Sequence, residues 1–252
     1  MNQQEPEEMQ YPNNQNSISE MLFSSNFNSH NKAEIDYSFL CLETVDLWLR
    51  LNYNQLDDHS SRKGIAYTFC LRGRRLLRSS QLLLLNGYLP ESEILYRSLW
   101  ETLMTLAYLI EDYSEERIKK YISFGHKSGW DLKTLTGNLL GEAAYLMYRE
   151  LSLYVHPSNL GIGKMVYNNK FQVDAIHDYG SAGQLLVMNG DMAMAICEIS
   201  NITFGLHQEW VDKQIEIYQT EIHQKSRSKI VELQNQEGST VQAVLDWLRK
   251  HG

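Results

Sequence analysis

The chain has 252 residues, 43% of them hydrophobic, and a formal net charge of -8 at pH 7. This length and composition suit a globular protein that buries a substantial core without disulfides or structural metals. The net negative charge argues against a general nucleic-acid coat protein, because binding many phosphates requires positive charge. The three cysteines are too few and too scattered for a disulfide framework or a zinc knuckle, which is typical of a reducing compartment.

Two further features bear on location. The first residues, MNQQEPEEMQ, lack the basic and apolar regions of a signal peptide. The longest purely apolar runs, such as LLLL at 82–85, fall far short of the roughly 20 residues that span a bilayer. We therefore expect a cytoplasmic protein that makes no contact with a membrane.

The chain divides into a tail, a helical bundle and a C-terminal helical extension. Residues 1–30 are rich in Asn, Gln, Ser and Glu and offer too little apolar surface to offset the entropy of ordering, so we predict a disordered tail. We assign residues 31–208 to the bundle and residues 209–252 to the extension. The first bundle helix begins near Glu34, where apolar residues recur with a period of 3.6. A second helix is predicted from about residue 61 to 85, ending at the sequence NGYLP.

The third predicted helix, ESEILYRSLWETLMTLAYLIED at 91–112, is apolar on nearly all sides, so we expect it at the centre of the fold. Shorter helices follow at about 115–127 and 138–155. The sequence KMVYNNKFQV at 164–173 loses the helical period and favours a small β-hairpin with an Asn-Asn turn. A long helix is predicted from about residue 182. Its continuation carries an apolar strip that suits a partner helix, formed by Val211, Ile215, Tyr218 and Ile222. Together these elements predict an all-α helical bundle of five to seven helices.

The sequence YRELSLYVHPSNL combines an arginine and a histidine at the end of the predicted fifth helix. Seven residues turn an α-helix through about 700°, so Arg149 and His156 share one face, with Cα atoms roughly 10 Å apart. Glu142 lies on the same stripe and Ser152 lies beside it. The proline after His156 places the imidazole at the helix end. An imidazole that moves a proton and a guanidinium that binds a phosphoryl oxygen can together drive attack of an RNA 2′-hydroxyl on its neighbouring phosphate without a metal.

The same stretch also has a purely structural interpretation. A cation near a helix C-terminus is stabilised by the helix dipole and by the unpaired carbonyl groups there. Arg149 can simply form an ion pair with Glu142 or Glu150. Both interpretations remain open on the sequence alone.

Charged residues on the second and third helices are further candidates. Arg97 and Glu101 are four residues apart on the apolar third helix, so we expect an ion pair on a buried or interfacial stripe. This pair either fixes the helix register or supports and orients Arg149 or His156. Residues 62–90 contain six basic residues and no acid, which predicts either a solvated face or an RNA-binding patch. The members of that patch are Arg72, Arg74, Arg75 and Arg78.

The sequence RELSLYVH fits the R-x4-6-H pattern of the HEPN superfamily, and the chain resembles these small helical bundles, which include metal-independent endoribonucleases of bacterial toxin–antitoxin and antiviral defence systems. The wider pattern, YLPESEILYRSLWETLMTLAYL followed by YRELSLYVHPS, is similar to an uncharacterised bacterial family of all-helical proteins. The resemblance covers about residues 65–205. It implies that Arg149 holds the scissile phosphate, that His156 transfers a proton and that a homodimer brings two motifs to one cleft. Such ribonucleases usually carry Asn, Asp or His directly after the arginine, where this chain has Glu150.

Two functions therefore stay in view. The first is a metal-independent endoribonuclease with RNA as its substrate and an antitoxin or defence-system protein as a further partner. The second is a non-catalytic helical module that binds a protein partner or a small ligand. The sequence GIGK at 161–164 lacks the leading glycine and the Ser or Thr of a P-loop, and no G-x-S-x-G, H-E-x-x-H or C-x-x-C sequence occurs. We expect neither a metal nor a cofactor.

Overall fold

The structure is a computed structural model. It describes residues 24–56, 58, 61–111, 114, 116–118, 121, 166–167, 170–171 and 179–225. The predicted helices at 115–127 and 138–155 fall mostly outside these residues, as do residues 1–23 and 226–252. Helical backbone is present at 116–118 and at residue 121.

The first long helix, α1, spans Lys32–Tyr53 and follows a short helical segment at residues 24–30. That segment buries Phe27 completely, although composition favoured a disordered tail there. Burial of a single large apolar side chain can be enough to attach a short segment to the core. The average composition of residues 1–30 does not reveal such a contact. The buried face of α1 includes Tyr37, Cys41, Val45 and Trp48, at the three- and four-residue spacing that an amphipathic helix requires.

The second helix, α2, spans Arg62–Leu85 and confirms the predicted boundaries. It begins because the Ser61 hydroxyl accepts a hydrogen bond from the Gly64 N–H at 3.0 Å. It ends in a Schellman motif. Gly87 adopts a φ of 85°, its N–H bonds the carbonyl oxygen of Leu84 at 3.1 Å, and the Tyr88 N–H bonds that of Leu83 at 2.9 Å. The sequence NGYLP therefore ends α2, as its turn-forming residues predict.

The third helix, α3, spans Leu89–Glu111, with Pro90 in its first turn, where the missing N–H does no harm. It packs against α2 and against α4, which spans Tyr179–Phe204. Helix α4 packs against α1, α2 and α3. We expected α3 at the centre of the fold. Among the described helices, α4 is at least as central, because it packs against all three of the others named so far.

Small residues explain the position of α4. A Cβ atom added to Gly190 would lie 3.0 Å from Sγ of Cys41 on α1, and one added to Gly73 of α2 would lie 3.0 Å from Cδ1 of Ile196 on α4. Because glycine has no side chain, these helix pairs can approach closely. A prediction based on the number of large apolar residues does not detect this contribution. The sequence prediction weighted bulky side chains, so it favoured α3.

Helix α4 is the most apolar helix described. By length and composition it is able to cross a membrane, with a mean hydropathy of 1.2, but 67% of the apolar window is buried inside the bundle. This burial is consistent with a soluble protein. The sequence analysis predicted α4 as a long helix from about residue 182 but did not single it out as a candidate membrane span, because polar residues such as Asn189 and Asp191 interrupt its apolar runs.

Helix α4 ends at Phe204, and the next residue, Gly205, has a φ of 84°. The following helix, α5, spans Gln208–Tyr218. Helix α5 packs on α1 and buries Trp210 and Ile217. Two residues later a further helical segment covers residues 221–225. The strip expected on this part of the chain is split: Ile215 and Tyr218 are exposed, whereas Val211 and Ile222 pack against the core.

The small hairpin is confirmed at backbone level. Strand β1, Val166–Tyr167, pairs antiparallel with β2, Lys170–Phe171, and the partners are Val166 with Phe171 and Tyr167 with Lys170. This register leaves two residues, the predicted Asn-Asn pair, as the connection. With five helices of eleven residues or more in the described part of the chain, the fold is all-α.

Candidate functional site

The residues that carry the sequence-based mechanism lie outside the described part of the chain. These are Arg149 and His156, with Glu142 and Ser152 beside them. Their roles therefore stay predictions. The candidate residues on α2 and α3 are described.

The ion pair on α3 forms as predicted. Nε of Arg97 lies 3.0 Å from Oε1 of Glu101, and the two side chains are 17% and 20% exposed. Water therefore reaches little of either group, and each charge depends on its protein environment for compensation. Whether the pair also orients Arg149 or His156 stays a prediction.

The four arginines of the predicted RNA patch share α2 but have different environments. Nε of Arg74 donates to Oδ1 of Asp46 at 2.7 Å and its Nη2 donates to Oδ2 at 3.1 Å. This two-point contact raises the pKa of Arg74 and neutralises its charge locally. Arg78 lies over the ring of Phe39, 5.6 Å from its centroid. Two of the four arginines are thus engaged with α1.

The other two arginines of the patch are more exposed to solvent. Nε of Arg72 donates to Oγ1 of Thr102 at 3.1 Å, which ties α2 to α3, but the residue is exposed. Arg75 is exposed as well. Of the four arginines, Arg72 and Arg75 are therefore the most accessible to solvent.

A second polar cluster, which sequence reasoning missed, joins three distant parts of the chain. The Tyr37 hydroxyl of α1 donates to Oδ1 of Asp191 on α4. Nδ1 of His223, on the segment after α5, lies 3.0 Å from the Tyr37 hydroxyl and 3.7 Å from the same carboxylate oxygen. The His223 and Asp191 side chains are 19% and 30% exposed, so this cluster lies at the edge of the core.

The hydrogen bonds fix the tautomer of His223. The one hydroxyl hydrogen of Tyr37 goes to Asp191, so Nδ1 of His223 must supply the hydrogen for its own contact with Tyr37. In the neutral imidazole, Nε2 is then the basic nitrogen, and within the described residues it makes no hydrogen bond. Burial and the Asp191 carboxylate raise the pKa of Tyr37, which keeps its hydroxyl protonated at neutral pH.

Two turns further along α4, Glu198 accepts hydrogen bonds from the Tyr218 hydroxyl and from Nε2 of Gln214. Burial raises the pKa of Glu198, and these two hydrogen bonds offset part of that effect. The ring centroids of Tyr218 and His223 are 4.7 Å apart, which links both polar groups. The cluster attaches the end of α5 and the following segment to α4.

One sequence signal pointed to this cluster. Asp191 and Glu198 are the two acids in the apolar sequence of α4, seven residues apart and hence on one face. Acids in a buried helix need partners. The partners themselves, separated from Asp191 by 154 positions in the case of Tyr37, have no local signature. Among the described residues, no three His, Cys, Asp or Glu side chains are grouped so that they can hold a metal ion.

Comparison with known proteins gives one result. Residues 63–138 match the model of a family of unknown function (DUF5677). The match includes α2 and α3, with the arginine patch and the Arg97–Glu101 pair, and ends before Arg149. No curated protein and no solved structure matched the chain.

Proposed function

We propose that this protein is a HEPN-like metal-independent endoribonuclease that acts in the cytoplasm, as a toxin or as an antiviral defence effector. The observation that carries the proposal is the spacing of Arg149 and His156 before a proline in an all-α chain. Two features support it. The fold is an all-α bundle, and α3 carries a mostly shielded ion pair, Arg97–Glu101, that can act as a rigid support for a charged site.

The proposed reaction needs only these two side chains. His156 removes the proton from an RNA 2′-hydroxyl, and the resulting oxygen attacks the adjacent phosphorus. Arg149 stabilises the charge that develops on the phosphoryl oxygens. The bond from phosphorus to the 5′-oxygen breaks, and that oxygen takes up a proton. The products are a 2′,3′-cyclic phosphate and a 5′-hydroxyl end. Arg72 and Arg75 supply contacts to the RNA backbone.

The proposal includes a homodimer that brings two copies of the motif to one cleft. Ile215 and Tyr218 on α5 are 46% and 38% exposed and offer part of an apolar contact surface. Light scattering at micromolar concentration should report about twice the chain mass of 29.3 kDa. A monomer at high concentration would remove the shared cleft from the mechanism.

The direct test is induced expression of the wild type, Arg149→Ala and His156→Ala, with growth and total RNA followed over time. We expect RNA loss and growth arrest with the wild type alone. The exposed His30, altered to Ala, is the control and should leave the toxicity unchanged. The thermal midpoint of His156→Ala shows whether loss of activity reflects loss of folding, because a helix-end side chain contributes only about 1 kcal/mol.

Two observations favour the alternative of a non-catalytic module that binds a protein partner or a small ligand. Glu150 follows Arg149 and places a negative charge where RNA would bind. The two-point contact with Asp46 reduces the charge that Arg74 offers to RNA. If purified wild-type protein cuts no RNA and His156→Ala is strongly destabilised, the binding module becomes the better account.

A further inference from the structure

Helix α5 and the helical segment that follows it lie against α1 and α4. Before the start of α5, Nε2 of His207 lies 3.1 Å from Oδ1 of Asn52, near the end of α1. At the far end, Nδ1 of His223 lies 3.0 Å from the hydroxyl of Tyr37, near the beginning of α1. This part of the chain therefore runs antiparallel to α1 along most of its length. We call residues 208–225 the strap.

Few apolar side chains hold the strap to the core. Helix α5 buries two of its 11 residues, Trp210 and Ile217, whereas α1 buries ten of its 22. Beyond α5, Ile222 is only partly buried against the core. A segment with few buried apolar contacts opens at a lower free energy than the core around it. A helix as short as α5 is also marginal in water on its own, so the strap depends on its contacts with the bundle to stay helical.

The connection between α4 and the strap has the features of a hinge. Residues 205–207 are not helical, and Gly205 has a φ of 84°. A Cβ atom added to Gly205 would have no atoms within 4 Å apart from those of its chain neighbours, and Leu206 is 71% exposed. Few contacts therefore resist a change of the backbone angles at this point. Hinges are typically formed by a few such residues at the ends of helices.

Polar contacts hold the far end of the strap. Besides its contact with Tyr37, Nδ1 of His223 lies 3.7 Å from Oδ1 of Asp191 on α4. The hydroxyl of Tyr218 donates to Glu198, also on α4. The side chains of His223 and Asp191 are 19% and 30% exposed, so water already reaches both. Hydrogen bonds that exchange with water have a small net free energy, so these contacts can break and form again.

We propose that the strap opens as one unit about residues 205–207, and that the contacts of His223 with Tyr37 and Asp191 are the latch that keeps it closed. Opening removes the strap from the edge of α1 and α4 and uncovers the polar cluster there. The strap therefore controls the access of solvent and of other molecules to that cluster. The proposal involves no residue assigned to RNA cleavage, so it stands or fails separately from the ribonuclease proposal.

Hydrogen–deuterium exchange of the full-length protein, followed by mass spectrometry, tests the proposal. In the wild type, the amide protection of the strap should be at least about tenfold lower than that of α1 and α4. Tyr37→Phe keeps the buried ring and removes the hydroxyl. It should lower the protection of the strap by a further factor of about 3 to 10, the range of one hydrogen bond, and leave α2 and α3 unchanged.

A second latch variant and a control complete the experiment. His223→Ala removes the latch from the side of the strap and should have the same effect as Tyr37→Phe, without altering a core residue. Lys213→Ala is the matched control, because Lys213 lies on α5 and forms an exposed pair with Glu216, away from the latch. It should change the protection of the strap by less than about twofold.

Three results would overturn the proposal. Protection of the strap equal to that of α1 and α4 would mean that it opens only when the whole bundle unfolds. An equal loss of protection in all described helices of both latch variants would mean that the cluster stabilises the entire fold. Unchanged protection of the strap in both latch variants would mean that these contacts do not keep it closed.

Discussion

Removing Glu101 should destabilise the protein through the charge that it leaves behind. Arg97 and Glu101 are 17% and 20% exposed, so truncation of Glu101 to Ala removes one ion-pair partner from a guanidinium that has little access to water. Breaking a fully buried pair costs about 3 to 5 kcal/mol, and an exposed pair about 0 to 1 kcal/mol. The remaining solvent contact places Glu101→Ala between these limits, at about 2 kcal/mol. For a chain of this size that lowers the melting temperature by roughly 4 to 8 °C.

Urea unfolding and thermal denaturation of the purified proteins measure this effect. Glu216→Ala is the matched control, because the Lys213–Glu216 pair is 44% and 54% exposed and should change stability by less than about 1 kcal/mol. The double change Arg97→Met/Glu101→Leu should recover most of the loss, since it removes both charges of the pair together. Glu101→Ala unfolding with the wild-type midpoint would refute the reasoning that this pair is shielded and interdependent.

Two other predictions concern α4. Gly190→Ala should cost about 1 to 3 kcal/mol despite the better helix propensity of Ala, because the new methyl would lie 3.0 Å from Sγ of Cys41; a variant as stable as the wild type would contradict this packing. Burial raises the pKa of Glu198, so the folded state holds that proton more tightly than the unfolded state, whose value is near 4.5. The corresponding stability is present below that value and is lost as pH rises through the folded pKa. The melting temperature of Glu198→Gln should therefore rise relative to that of the wild type as the pH increases above about 4.5, and a constant difference between the two proteins would contradict this prediction.

The local elements of this fold were predictable because their signals are local. The Ser61 cap and the turn after Leu85 fix both ends of α2 with residue types that are specific to those positions. Alternation around an Asn-Asn pair predicted the hairpin, and four-residue spacing predicted the Arg97–Glu101 pair. In each case the interacting groups are at most a few residues apart.

The features that were missed depend on long-range contacts. Tyr37, Asp191 and His223 meet only when α1, α4 and the segment after α5 come together, and no spacing in the sequence encodes this. The position of α4 depends on glycines whose contribution is the absence of a side chain. The split of the apolar strip on α5 depends on the break at Gly205, which turns Trp210 and Ile217 toward α1 instead.

The central claim is a metal-independent cleavage of RNA that depends on His156. Its most direct measurement incubates a 5′-labelled RNA with purified wild type and His156→Ala in excess EDTA, and identifies the ends of the products. The account predicts cleavage by the wild type alone, with 2′,3′-cyclic phosphate and 5′-hydroxyl ends. Cleavage that EDTA abolishes, or that His156→Ala retains at the wild-type rate, would contradict it.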